Sequence, residues 1–274
     1  MLRSELARRR GEPDVSMGRQ FLRVAAALTV LFLLGYVGSC FLLYYDQRSI
    51  IYYPNGTHVA VSDTNFALPN DGAVLRGWRL NPGQARALIY FGGNAESLGA
   101  ERDDLAALFP GRTVYLVAYR GYGASDGSPS EQALFSDALA LFDAVKTKHA
   151  SVAVVGRSIG SGVACFLVSQ RPVERLALIT PFDSLEQVAQ AHYPLFPINL
   201  LAKDRYESSR YIATYRGPIL VMRAGRDEIV PSDSTDRLLA AMQTLPSVLD
   251  FPSAGHNSIS DDPRYASALS EFMK

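Results

Sequence analysis

The sequence predicts a doubly wound α/β domain, built on a mostly parallel sheet with a small helical cap and preceded by one N-terminal transmembrane helix. Three observations carry that expectation. The 22 residues of 24–45 hold no charge. After them, short apolar runs alternate with amphipathic stretches, the rhythm of β and α units in turn. Most of the runs are continuous Val, Ile, Leu and Tyr, as strands buried on both faces of a parallel sheet require.

Composition narrows the class further. The 274 residues carry 27 Lys+Arg against 27 Asp+Glu, so the formal charge is zero with four neutral His. That balance removes the bulk attraction on which nucleic-acid binding usually rests, and no nucleic-acid partner is expected. A chain that is 48% hydrophobic and 20% charged is globular, and collagen or coiled-coil readings are excluded. Cys40 and Cys165 cannot make a disulfide framework, and neither belongs to a metal-type cluster.

The first element is the uncharged run. About 20 apolar residues at about 1.5 Å rise cross a hydrocarbon core about 30 Å thick. Arg3, Arg8, Arg9, Arg10, Arg19 and Arg23 precede it, whereas Asp46, Gln47 and Arg48 follow. The Arg excess places a leader of residues 1–23 in the cytoplasm and the bulk of the chain, 46–274, on the far, extracytoplasmic side. Tyr44, Tyr45, Tyr52 and Tyr53 suit an interfacial belt. Two alternatives stay open. Gly35, Gly38 and Ser39 could mark a cleaved signal, and Val37-Gly38-Ser39-Cys40 loosely matches a lipidation box, from which it departs at Gly38.

Strands are then expected at 74–80, 87–91, 114–119, 152–155, 176–179, 219–223 and 248–251, and helices at 101–109, 131–148, 160–169, 233–243 and 263–272. Ser130 is the N-cap of the helix opening at Glu131. Between residues 184 and 215 no strand appears, and Pro194 and Pro197 interrupt a Tyr/Leu/Phe-rich stretch. This interval reads as the cap.

The sharpest motif is Gly156-Arg157-Ser158-Ile159-Gly160, between the 152–155 strand and a helix. It is the strand–turn–helix setting of a nucleophile elbow, in which Ser158 is strained and both glycines let strand and helix approach. A serine hydroxyl is a weak nucleophile, so a histidine base and a carboxylate should follow in chain order. Of His58, His149, His192 and His256, only His256 lies beyond the last strand, in a loop able to bend over the sheet. Asp227, leaving the 219–223 strand on the edge that carries Ser158, is the expected carboxylate. Asp183 is its rival, with helix capping as the alternative role. The oxyanion hole needs two backbone N–H groups. Ile159 should give one and Asn94, in Gly92-Gly93-Asn94-Ala95, the other.

These residues resemble the α/β-hydrolase superfamily. More narrowly, they are similar to its membrane-anchored serine hydrolases, related to serine aminopeptidase-like, monoacylglycerol lipase-like and protein depalmitoylase-like enzymes. The likeness rests on Gly92-Gly93-Asn94-Ala95, Tyr119-Arg120-Gly121-Tyr122-Gly123 with Ser125 and Gly127, the elbow, and Asp227 with His256. It covers about residues 48–274, including Tyr52-Tyr53-Pro54. Relatives often carry His at the Gly92 position and Asp at the Ala118 position. The resemblance implies the α/β-hydrolase fold and cleavage of carboxylic esters or thioesters without a cofactor or metal, on a small acyl ester or lipid-like substrate. Peptide cleavage by the same residues, acyl transfer to an alcohol and a catalytically silent membrane-bound binding module are the alternatives. Tyr193 and Phe196, with Leu195 and Leu200, are candidates to line an acyl pocket. Arg120 reads as a loop support, Trp78 as packing and Cys165 as a buried apolar residue.

Overall fold

The computed structural model describes Val15–Lys274, so Arg3, Arg8, Arg9 and Arg10 of the basic leader lie outside the described residues. The chain divides into two compact units, one ending at Asp46 and one spanning Gln47–Lys274. The first holds most of helix α1 (Val15–Ile51). From Gly18 to Ile51 this helix is long and apolar enough to cross a membrane, and a membrane anchor and a signal sequence both meet that description. Phe21, Phe32 and Leu34 are exposed. Thr29 and Ser39 donate back to Ala25 O and Gly35 O, at 3.0 and 2.9 Å. Their hydroxyls are thus satisfied inside the helix, as an apolar solvent requires.

The second unit is built on one eight-stranded sheet of order β1-β2-β4-β3-β5-β6-β7-β8. The strands are β1 (Phe66–Asn70), β2 (Ala73–Leu80), β3 (Arg86–Phe91), β4 (Thr113–Val117), β5 (Ser151–Arg157), β6 (Leu176–Ile179), β7 (Ile219–Ala224) and β8 (Ser247–Phe251). From β4 through β8 every pairing is parallel; β1–β2 and β2–β4 are antiparallel. Strict alternation along the strands feeds two cores. In β3, Ala87, Ile89 and Phe91 join Val152, Val154, Leu176, Leu178 and Val221 on one face. Leu88 and Tyr90 join Val155, Ile179 and Met222 on the other.

Helices α3 (Glu131–Lys146) and α4 (Ile159–Gln170) supply side chains to the first core, and α2 (Arg102–Leu108) and α9 (Pro263–Phe272) to the second. Ser130 does cap α3, accepting from Ala133 N at 3.2 Å. α8 (Ser232–Ala241) follows β7.

Two elements differ from the sequence reading. Strand β1 was not foreseen. Asp71 and Gly72 have φ of 42° and 75°, and Asn70 pairs with Ala73, so a two-residue turn folds β1 onto β2 as an edge hairpin. The 184–215 stretch holds three short helices, α5 (Leu185–His192), α6 (Ile198–Leu201) and α7 (Ser208–Ile212). Its second half is framework and not cover: Asp204, Tyr206, Ile212 and Tyr215 are buried.

At the opposite edge from the elbow, fully buried Arg112 forms a two-pronged pair with Glu174 at 2.9 and 2.8 Å and donates to Met273 O. Hydrogen bonding from Arg112 holds the Glu174 carboxyl well below its ordinary range, at about 2.

Candidate active site

Strand β5 ends at Arg157 and α4 begins at Ile159, so Ser158 alone makes the turn. Its backbone stands at φ 51° and ψ −119°, a region that costs a non-glycine residue about 1–3 kcal/mol. The flanking glycines are dictated by space. A Cβ on Gly156 would stand 2.5 Å from Gly160 O, and one on Gly160 would stand 2.2 Å from Phe91 O. Both obstacles are backbone, which cannot swing aside.

Across an open cleft of about 420 Å³ stands His256, 4% exposed. Its Nε2 is 2.9 Å from Ser158 Oγ, and its Nδ1 is 2.9 Å from both carboxylate oxygens of Asp227. Asp227 lies just past β7, and its Oδ1 also accepts from Ile229 N and Val230 N at 2.9 and 2.7 Å. Those bonds fix the carboxylate toward the imidazole. The structure therefore brings Ser158, His256 and Asp227 into one chain of contacts.

Asp183 is placed elsewhere. Its Oδ1 accepts from Ser234 Oγ at 2.6 Å and its Oδ2 from Arg237 Nε at 2.5 Å, tying the β6 exit to α8. The other histidines lie elsewhere. His192 Nε2 meets Ile229 O at 2.8 Å, His149 sits between Tyr115 and Gln84 O, and His58 is exposed.

The loop after β3 and the turn at Ser158 face the same cleft, whose lining includes Gly93, Asn94, Arg157, Ser158, Ile229 and His256. The Gly93 N–H is taken by Glu96 Oε2 at 2.6 Å, so it is not free for a substrate. The Asn94 carboxamide oxygen is likewise engaged, accepting from Tyr53 N and Tyr122 Oη at 2.9 Å each.

Tyr193 and Phe196 do not line this cleft. The α5 helix closes at Tyr193, whose N–H bonds Ala189 O, and the turn through Pro194 carries the chain on to α6. Ile229, held by His192, supplies the apolar wall there instead.

Sequence reasoning missed two supports. Glu96 accepts from Tyr90 Oη at 2.7 Å and faces Arg157 at 3.5 Å, placing a nearly buried ion pair beside the elbow. Glu96 falls two residues past Asn94, and an acid closing a glycine-rich loop onto an Arg of the elbow was the available signal. The other support is the Tyr53 and Tyr122 pair on Asn94. As read, Arg120 holds its loop, pairing with Asp137 at 2.8 and 2.7 Å, while Trp78 and Cys165 are buried. Among the described residues no cluster of three or more His, Cys, Asp or Glu could hold a metal ion.

A serine stands on a strained strand-to-helix turn of a doubly wound α/β domain, faced by side chains from two later strand ends. Comparison with known proteins identifies the family. Uncharacterized protein Rv2307c of Mycobacterium tuberculosis is 34% identical over 255 residues, covering 86% of this chain and 90% of that one. Lysophosphatidylserine lipase ABHD12 of Danio rerio is 28% identical over 223 residues, covering 68% of this chain and 58% of that one. The crystal structure of the Pyrococcus furiosus esterase PF2001 superposes with a TM-score of 0.62 at 18% identity, covering 76% of this chain and 88% of that one. No protein-family model matches the chain. The chain belongs to the α/β-hydrolase superfamily.

Proposed function

We propose that the protein is a serine hydrolase of carboxylic esters or thioesters, working through Ser158, His256 and Asp227. The observation that carries this reading is the unbroken line from Ser158 Oγ to His256 Nε2 to the Asp227 carboxylate, each step 2.9 Å. His256 Nδ1–H donates to Asp227, which leaves Nε2 as the base. Nε2 takes the Ser158 proton as Oγ bonds to the substrate carbonyl carbon. The resulting oxyanion is held by the backbone N–H groups of Ile159 and Asn94. His256 then returns the proton to the leaving alcohol or thiol as its bond to carbon breaks. Water repeats the sequence on the acyl-enzyme and frees the acid and Ser158.

The lipase among the relatives supports an ester substrate with an apolar part. The long apolar helix supports a membrane anchor, with the α/β domain on the extracytoplasmic side. Residues 1–23 then form the leader, 24–45 the span and 46–274 the hydrolase domain.

The test is a series of p-nitrophenyl esters and matched thioesters from two to sixteen carbons (about the range of common acyl chains, each buried CH₂ adding about 0.8 kcal/mol), given to the full chain in detergent micelles. Release of free acid is expected from esters and thioesters, with kcat/KM rising with chain length over the shorter members. Turnover of aminoacyl amides at a rate matching the best ester would instead support a peptidase.

A further inference from the structure

The loop that carries Asn94 is not self-supporting. Ala95 has φ of 58°, a left-handed backbone for a residue with a Cβ, and such conformations persist only when their surroundings enforce them. Glu96 holds one side of the loop through Gly93 N. The other side is held through the Asn94 side chain. Its oxygen has two lone pairs, and both are used, by Tyr53 N–H and by the Tyr122 hydroxyl. Burial pushes the Tyr122 hydroxyl up to about 12, so it remains a proton donor throughout the working range.

Tyr53 belongs to the segment that leaves the long apolar helix. That segment is fastened residue by residue. Gln47 donates to Leu201 O and accepts from Lys203 N, at 3.0 and 2.7 Å. Arg48 grips buried Asp204 at 2.9 and 3.1 Å, and the Tyr52 hydroxyl meets that of Tyr206 at 2.7 Å inside the core. Farther along, Thr57 Oγ1 accepts from Gly123 N at 3.1 Å. The segment therefore runs from the 201–206 framework to the oxyanion loop, where its Tyr53 N–H ends on Asn94.

We propose that Asn94 is a positioning residue through its side chain, and that residues 47–57 are a working part of the catalytic site. By holding Asn94 Oδ1, Tyr53 N–H and Tyr122 aim the Asn94 backbone N–H at the oxyanion. This rests on the serine-hydrolase reading above. A substitution here should weaken stabilisation of the tetrahedral state while leaving ground-state binding alone.

The experiment uses the full chain in detergent micelles, with a p-nitrophenyl ester as substrate and a trifluoromethyl ketone as the probe that forms a tetrahedral oxyanion on serine. Asn94→Ala keeps the backbone N–H and removes the clamp. Its kcat is expected to fall about 10- to 100-fold, somewhat less than deletion of an oxyanion donor. KM should stay within about two-fold, and ketone affinity should fall by the same factor as kcat. Tyr122→Phe should cost less, because the Tyr53 bond remains, and should cost nothing further in the Asn94→Ala background. Amide hydrogen exchange in a peptide spanning 52–57 should rise in Asn94→Ala.

Unchanged kcat in Asn94→Ala, or unchanged exchange at 52–57, overturns the proposal. Should Asn94→Ala not fold, the kcat-against-KM split of Tyr122→Phe decides in its place: a loss in kcat alone supports the clamp, and no loss overturns it. Ser158→Ala run alongside separates the two levels. If it retains turnover, the serine-hydrolase reading has failed; if it is inactive while Asn94→Ala is unimpaired, only the clamp has.

Discussion

Alanine at His256 is expected to lower kcat on an activated ester by about 10⁵- to 10⁶-fold, with KM little changed. The imidazole is the sole base within reach of Ser158 among the described histidines. His192 is spent on Ile229 O, His149 lies between Tyr115 and Gln84, and His58 faces solvent. Residues that act as a unit fail together, so Ser158→Ala combined with His256→Ala should be no worse than either alone. Single-turnover kinetics in micelles read both effects. A His256→Ala protein within about ten-fold of wild type, where a lost base should cost far more, would mean that another group takes the proton.

Asparagine at Asp227 carries the second large effect, a loss of about 10⁴-fold in kcat with the fold intact. An amide that donates where a carboxylate accepted turns the imidazole to the wrong tautomer. It also removes the charge that stabilises the imidazolium. Asp183→Asn should behave in the opposite way. Its carboxylate joins Ser234 and Arg237 and touches no histidine, so its loss should lower Tm and spare kcat. Parallel measurement of kcat and thermal midpoint for the two variants separates these roles. Loss of turnover in Asp183→Asn with Asp227→Asn intact would reverse the assignment.

Much of this architecture was legible because local chemistry and tertiary position coincide. The strand at 176–179 is a pure apolar run buried on both faces, and the helix at 263–272 opens on an Asp-Pro start; both fall where the sequence places them. The elbow was legible because two backbone obstructions demand glycine at 156 and 160, leaving a fixed spacing around Ser158. Chain order and sheet edge alone single out His256 and Asp227 as candidates, and the fold brings both side chains to Ser158.

What was not legible depends on partners far away in sequence. Strand β1 contains Pro69 and alternates exposure, so its apolar signal is weak; the Asp71-Gly72 turn was the cue that marks it. The 204–215 region reads as cover because it is aromatic and irregular. Tyr206 nevertheless fills a slot over Gly162, where a Cβ would stand 2.8 Å from its ring. Tyr193 and Phe196 carry the composition of an acyl pocket, but composition cannot say which way a proline-broken loop turns. The contact of Tyr53 with Asn94 joins residues 41 apart through a main-chain N–H, which leaves no mark on residue type.

The most direct test of the central claim is labelling of the intact protein with a fluorophosphonate, followed by mass mapping of the modified peptide. The account predicts one adduct, on Ser158, lost in Ser158→Ala and slowed strongly in His256→Ala. A folded wild-type protein that takes no label, or that takes it on another serine while Ser158→Ala reacts at the same rate, would contradict it.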